Sequence, residues 1–205
     1  MIKLDSRLAA AASLVRLDKS ICDVGTDHAL LPCFLWQSGA RSVIASDIND
    51  GPLEAAAETV NKFNCKGIRL IKSDGLKNVP PCEDIIIAGM GGELISRIIS
   101  ECSFITPDTR LILQPMTKAE ELRRRLSENG FEIILEKGAF AGGKAYSVIY
   151  SRYTGEKREC GDDFAYFGKS EDEAYIRSVN ARLRKLSKGN PGLKKIIREE
   201  YENDC

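Results

Sequence analysis

The sequence predicts an α/β fold in which a mostly parallel sheet carries helices on both faces, an antiparallel hairpin closes one edge, and a helical hairpin follows at the C-terminal end. Three observations carry this expectation. Short, continuous apolar runs alternate with amphipathic stretches, the pattern of strands buried on both faces. The last two strand-like runs follow one another with no helix between them. Beyond Tyr153 the strand-like runs stop and helical spacing takes over. The boundary is therefore expected between segments 1–153 and 154–205.

The elements can be justified in order. Asp5-Ser6-Arg7-Leu8 opens a first helix, which Ala9 to Val15 continue with strong helix formers. Ser20 to Gly25 reads as a short buried strand ending in a turn, and His28 to Gln37 as a helix with Pro32 in its first turn. Ser42 to Asp47 is the second strand, and Leu53 to Phe63 its helix after Gly51-Pro52. Gly67 to Lys72 is the third strand and Asp84 to Ala88 a strongly β-branched fourth, followed by a helix over Glu93 to Ser100. Arg110 to Gln114 is the fifth strand, with its helix over Lys118 to Glu128. Phe131 to Glu136 and Tyr146 to Ser151 form the hairpin around Gly142-Gly143-Lys144. In the tail, Thr154 to Asp163 is polar and loop-like. Ser170 to Lys188 and Leu193 to Asn203 then read as two antiparallel helices separated by the turn signal Gly189-Asn190-Pro191-Gly192.

Composition narrows the class. The 205 residues hold 30 Lys and Arg against 30 Asp and Glu, so net charge alone points to no nucleic-acid partner. No apolar run is long enough for a membrane span, and Met1 to Arg7 is too quickly charged for a secretory signal, so the expected location is cytoplasmic. Seven cysteines are scattered without a CxxC pair, and His28 is the single histidine, so no metal site is expected and the thiols should be reduced. The expected oligomeric state is a monomer.

In an open parallel sheet, ligands bind at the carboxyl ends of the strands near the switch in strand order. The first three strand ends here read Asp23-Val24-Gly25-Thr26-Asp27-His28, Asp47-Ile48-Asn49 and Ser73-Asp74-Gly75. A glycine after strand one lets the backbone approach a ligand with no Cβ in the way. The acidic end of strand two, about twenty residues on, suits the paired hydroxyls of a ribose. An acidic residue after strand three can accept from an adenine amino group. Together they describe a slot for adenosine.

Two cofactors fit such a slot, NAD and S-adenosylmethionine. A dinucleotide wants G-x-G-x-x-G at a helix N-terminus for its pyrophosphate. Asp27 puts a carboxylate at that place, which repels a pyrophosphate and suits the ammonium of a methionyl tail. Asp23 and Asp27 could instead only cap a turn and a helix. Ile87-Ala88-Gly89-Met90-Gly91-Gly92-Glu93 ends strand four with a side-chain-free floor, or serves simply as a tight strand-to-helix turn. Gln114-Pro115-Met116 would form the neighbouring wall.

Four segments standing in order carry a resemblance: Gly25 to Pro32, Ala45 to Leu53, Ile87 to Gly92 and Leu111 to Met116. With Leu4 to Leu8 and Gly143 to Tyr146, they make the chain resemble the bacterial tRNA adenine-22 N1-methyltransferases over residues 1 to 152. The resemblance implies a Rossmann-like class I methyltransferase sheet, S-adenosylmethionine as cofactor, and a helical appendage that helps to hold tRNA. Leu30 stands where that family's pattern has an aromatic, and the segment after Ser151 reads as shorter than the usual tail. Residues and resemblance together nominate Asp23, Gly25, Thr26, Asp27, His28, Asp47, Ile48, Asp74, Gly75, Gly89 and Gly91 for the cofactor. Asp27, His28, Gly89, Met90 and Gly91 are nominated for the reacting centre.

Arg177, Arg182, Arg184, Lys185, Lys188, Lys194, Lys195 and Arg198 follow one another with no acidic residue between. A basic helical hairpin suits a tRNA backbone, although such charges also make an ordinary solvated face. Arg7 and Arg123-Arg124-Arg125 could extend the track. Two rival functions stay open here: a methyltransferase of a small molecule or protein, and a non-enzymatic or NAD-binding module of the same fold.

Overall fold

The structure, a computed structural model, describes residues 2–201. Seven strands form one sheet in the order β3-β2-β1-β4-β5-β7-β6. They are β1 (Ser20–Val24), β2 (Ser42–Asp47), β3 (Arg69–Lys72), β4 (Asp84–Gly91), β5 (Arg110–Thr117), β6 (Phe131–Ala141) and β7 (Lys144–Tyr153). The first five pair in parallel, whereas β7 runs antiparallel to both β5 and β6. Strand order reverses between β1 and β4, which places the crevice for a ligand at their carboxyl ends. The expected parallel sheet with an antiparallel edge is what the structure shows.

The helices are α1 (Ser6–Ala12), α2 (Leu30–Gln37), α3 (Asp50–Lys62), α4 (Gly92–Ser100), α5 (Ala119–Glu128), α6 (Asp162–Phe167) and α7 (Glu173–Leu186). Alternation along the strands divides the core. Ile86, Ile112 and Val148 pack on the face covered by α1, α2 and α3. Ile85, Ile87, Leu111, Leu113 and Ile149 pack on the other face with Ile95, Ile98, Leu122 and Leu126 of α4 and α5. The central strands β1, β4 and β5 therefore bury both faces, the physical reason that their sequences are continuous apolar runs, whereas the edge strands β3 and β6 stay partly exposed.

Two boundaries differ from expectation in ways that shape the site. Helix α2 begins at Leu30 rather than His28, because Asp27 and Ala29 adopt left-handed backbone conformations with φ of 50° and 51°. Strand β4 runs on to Gly91, with a register slip against β5 between Ala88 and Met90; Gly89, at φ 80°, lies in the slip.

The tail also departs from a two-helix hairpin. Helix α6 begins in the last two residues of the stretch expected to be a loop and fills the interval before the next expected helix, and α7 starts after Asp172, whose carboxylate caps Tyr175 N at 2.8 Å. The expected second helix, Leu193 to Asn203, is replaced by two 3-10 turns, Pro191–Ile196 and Glu199–Tyr201; residues 202 and 203 lie outside the described residues. Ile197 is extended, and the Asn180 side chain holds the next residue. It donates to Arg198 O at 2.8 Å and accepts from Arg198 N at 3.0 Å. Those bonds satisfy backbone groups that a continuous helix would have paired internally.

Arg123 joins the tail to the sheet. Its side chain is fully buried and pairs with the equally buried Glu136 of β6, Nη2 to Oε2 at 2.6 Å. It also donates to Ala165 O at 2.8 Å, Tyr166 O at 3.0 Å and Tyr175 Oη at 2.9 Å. Burial alone would lower its pKa, but Tyr175 and Glu136 together hold it above the ordinary value. Arg123 is thus no part of a surface track, and its neighbours Arg124 and Arg125 pair with Asp162 and Glu121. No helix among the described residues is long and apolar enough to cross a membrane.

Candidate active site

The β1–α2 turn is built by backbone bonds rather than by side chains. Gly25 N and Thr26 N both donate to Ser46 O of β2, at 2.8 and 2.9 Å, and Ala29 N returns to Thr26 O at 2.9 Å. Gly25 takes φ of 73°, and a Cβ there would stand 2.1 Å from Met90 Cε. The turn after β1 and the end of β4 therefore meet at Gly25 and Met90, two of the residues nominated from sequence. No atom outside its immediate neighbours lies within 4 Å of where a Gly89 Cβ would sit, so Gly89 faces open space.

Asp23 is buried beside this turn. Burial pushes its pKa up to about 6, the nearby Asp47 adds to the rise, and the Thr26 hydroxyl draws it back. The hydroxyl itself is buried without a hydrogen-bond partner in the protein, although it lies close enough to act on Asp23. A buried polar pair left this poorly satisfied fits a ligand bearing a positive charge or a donor. Asp27 and His28 stand at the mouth, largely exposed, with His28 Nε2 3.5 Å from Asp27 Oδ2.

At the end of β2, Asp47 accepts from Asn49 N at 3.0 Å through Oδ1, with the exposed Ile48 beside it. Asp74 is different. Its Oδ1 takes Arg97 Nη2 at 2.9 Å and its Oδ2 takes Lys77 Nζ at 2.6 Å, and these cations hold its pKa down at about 2. The acceptor expected for an adenine amino group thus already carries two cations, with a lone pair left on each oxygen. Gly75 follows in a left-handed conformation against Ile98. Sequence reasoning missed Arg97 and Ser46, because their roles depend on packing across elements distant in the chain.

The floor and wall are tied together. Gln114, buried at the end of β5, accepts from Gly89 N at 3.1 Å through Oε1 and donates to Pro115 O at 3.1 Å. Gly91 precedes α4, and a Cβ on Gly92 would meet Lys118 O at 2.3 Å. Arg7 reaches this wall from α1, with Nη1 2.8 Å from Met116 Sδ. A separate cavity of about 730 Å³ between α4 and α5, lined in part by Arg97, Cys102, Arg125 and Phe131, contains none of the nominated residues.

A family model described as a methyltransferase domain matches residues 4–149. The chain is 35% identical over 175 residues to the tRNA (adenine(22)-N(1))-methyltransferase of Bacillus subtilis, covering 82% of this chain and 71% of that protein. The chain belongs to the tRNA (adenine(22)-N(1))-methyltransferase family. Solved structures agree with this membership. M. capricolum TrmK in complex with S-adenosyl-homocysteine superposes with a TM-score of 0.78 at 27% identity, covering 98% of this chain and 93% of that one. The Bacillus subtilis M1A22 tRNA methyltransferase TrmK gives 0.75 at 26% identity, covering 97% and 100%.

In this family member the basic tail is only partly unpaired. Arg177 pairs with Glu173 at 2.9 Å, Arg198 with Asp163 at 3.0 Å, and Arg182 with Glu120 of α5. Lys185, Lys188, Lys194 and Lys195 are exposed and form no ion pair among the described residues. They cluster where α7 ends and the first 3-10 turn follows, with Arg184 in the same last turn of α7.

Proposed function

We propose that the chain transfers a methyl group from S-adenosylmethionine to N1 of an adenine in tRNA, the adenine at position 22. Family membership supports the reaction. The observation within the chain that carries it is the slot at the β1–β4 switch, where Gly25 lets Met90 of β4 close on the turn, Gly89 leaves open space, and Thr26 keeps a buried hydroxyl without a partner beside Asp23. Those groups fit S-adenosylmethionine, with Asp47 for the ribose hydroxyls and Asp23 or Asp27 for the methionyl ammonium. Asp74, which keeps a lone pair on each oxygen beside its two cations, and the backbone around Gly75 are left to meet the adenine.

Bound there, S-adenosylmethionine supplies an electrophilic methyl group on a sulfonium. Adenine N1 has an in-plane lone pair and needs no deprotonation, so the protein's task is alignment and exclusion of water. Gly89 and Gly91 give a floor without side chains, and the Gln114 bond to Gly89 N fixes that floor against β5. Asp27 sits at the mouth as an acceptor for the exocyclic amine, favouring the positive charge that builds on the ring. His28 orients Asp27. The target base must leave its stack to reach the floor, at a cost of a few kcal/mol.

The unpaired lysines at the end of α7, with Arg184, supply the cationic surface for the tRNA backbone, joined by Arg7 at the mouth and by the paired Arg177 and Arg182. This division assigns residues 1–153 to chemistry and 154–205 to holding RNA. A cytoplasmic monomer goes with that reading. Incubation with labelled S-adenosylmethionine and unmodified bulk bacterial tRNA should yield 1-methyladenosine on nucleoside analysis. Absence of label in tRNA, with cofactor binding intact by calorimetry, would refute the substrate assignment.

A further inference from the structure

The loop after β3 is held by a closed ring of charges that the methyl-transfer chemistry does not touch. Asp74 Oδ1 accepts from Arg97 Nη2 at 2.9 Å, and Oδ2 accepts from Lys77 Nζ at 2.6 Å. On the far side of the ring, Glu101 takes Arg97 Nη1 at 3.0 and 3.2 Å and Lys77 Nζ at 3.3 Å. Two acids and two cations thus alternate around one square. Arg97 and Glu101 stand one turn apart at the C-terminal end of α4, and Lys77 belongs to the loop itself. None of the four side chains is buried, and exposed ion pairs stabilise a fold little. What such a ring fixes is direction.

Two neighbours on α4 address two neighbours in the loop. Ile98 packs on Gly75, where an added Cβ would stand 3.0 Å from Ile98 Cγ1, while Arg97 takes the carboxylate just before it. Ser73 N donates to Asp47 O at 2.9 Å, so Asp47 and Asp74 leave adjacent strand ends side by side. With Asp47 at the ribose, Asp74 stands where the base follows. Arg97 first and Lys77 next hold the Asp74 pKa down at about 2, so its oxygens only accept hydrogen bonds. The lone pair left on each oxygen can take an exocyclic N–H.

We propose that Arg97 is a positioning residue that aims Asp74 at the amino group of the cofactor's adenine and so makes the slot selective for a 6-amino purine. The proposal rests on the S-adenosylmethionine reading of the site and deepens it by naming what sets the choice of base. The guanidinium reaches both carboxylate oxygens, since Nη1 also lies 3.5 Å from Asp74 Oδ2, and a planar fork fixes the plane of a carboxylate as one ammonium does not. Glu101 in turn fixes the fork. Lys77 lies three residues from Asp74 on the same loop, so without Arg97 the pair would turn together. A plain staple between loop and helix would serve every nucleoside alike, whereas an aimed acceptor serves the one that carries the amine.

The test is calorimetry on the full chain with S-adenosylhomocysteine and with its analogue that carries hydrogen in place of the 6-amino group. The unsubstituted chain should favour the amine about 30-fold, the worth of one hydrogen bond to a charged acceptor. Arg97→Ala should weaken S-adenosylhomocysteine about tenfold and leave the analogue nearly unchanged, so that the preference shrinks to about threefold. Arg97→Lys keeps the charge without the fork and should restore only part of the preference. Glu101→Gln, whose side chain meets the two cations and not Asp74, should move the preference the same way by less. Loss of both ligands by the same factor in Arg97→Ala marks a staple and overturns the proposal, as does an unsubstituted chain that binds both ligands alike. A chain that binds neither overturns the cofactor reading beneath it as well.

Discussion

The two ends of the same sheet are built to opposite rules. At the amino end, Arg16 closes on the buried Asp84. Its backbone N donates to Oδ2 at 2.7 Å and its Nε to Oδ1 at 2.8 Å, and Nη2 reaches Asp108 O at 3.0 Å. Beside it, Glu83 takes Ser20 N at 3.1 Å and Lys19 at 3.0 Å. At the carboxyl end, Gly25, Asp27, Ala29, Gly75, Gly89 and Lys118 all hold positive φ, and three of these are not glycine. There Thr26 keeps an unpartnered hydroxyl and Asp23 an elevated pKa. The first end spends most of its polar groups on holding strands together, although Arg110 Nε at the start of β5 is buried there without a partner. The second leaves strain and unmet polar groups where a ligand can meet them, which is how binding sites differ from scaffold.

Breaking the amino end should produce the largest change. Asp84→Ala strips the buried partner from Arg16 and is expected to cost about 3–5 kcal/mol of stability, seen as a lower urea midpoint. Cofactor affinity of the remaining folded protein should hold. A midpoint within error of the original would mean that the network contributes little and that the contrast between the two ends is false.

The converse change lies at the mouth. Asp27→Asn alters an exposed carboxylate, so stability should stay within about 0.5 kcal/mol. Its kcat for tRNA methylation should fall about 100-fold. Unaltered turnover would remove Asp27 from the reacting centre and leave it a turn residue.

A smaller effect should come from pH. The folded pKa of Asp23, about 6, lies above its ordinary 3.8, so the folded state favours the neutral acid. Its contribution to stability is therefore present at low pH and is lost as pH rises from about 4 through 6. A cationic ligand favours the carboxylate, so cofactor affinity should move the other way. It should rise about tenfold per pH unit below 6 and level off above. Calorimetry across pH 5 to 8 checks this, and Asp23→Asn should flatten the profile. The same slope in that variant would assign the proton to another group.

How much of this was legible in the sequence depended on whether the cause was local. Strands β1, β2, β4 and β5 showed in their apolar runs because burial on both faces leaves no alternative pattern. Gly25, Asp47 and Gly89 could be placed at the carboxyl ends of β1, β2 and β4 because strand ends are local signals. Arg123 did not, since nothing near it in sequence announces that Glu136 and the carbonyls of α6 will close around it. Asp74 looked like a free acceptor for the same reason, its partner Arg97 lying a helix away. The break in the last expected helix belongs to Asn180, distant in sequence from Arg198, the residue it holds.

The central claim is that the open end of the sheet receives one defined adenine of tRNA. It is tested most directly with two transcripts of the same tRNA, one with adenine at position 22 and one with guanine, each methylated to completion with labelled S-adenosylmethionine. Stoichiometric 1-methyladenosine in the first and no label in the second is the expected result. Equal labelling of both, or label recovered on an atom other than N1, would contradict it.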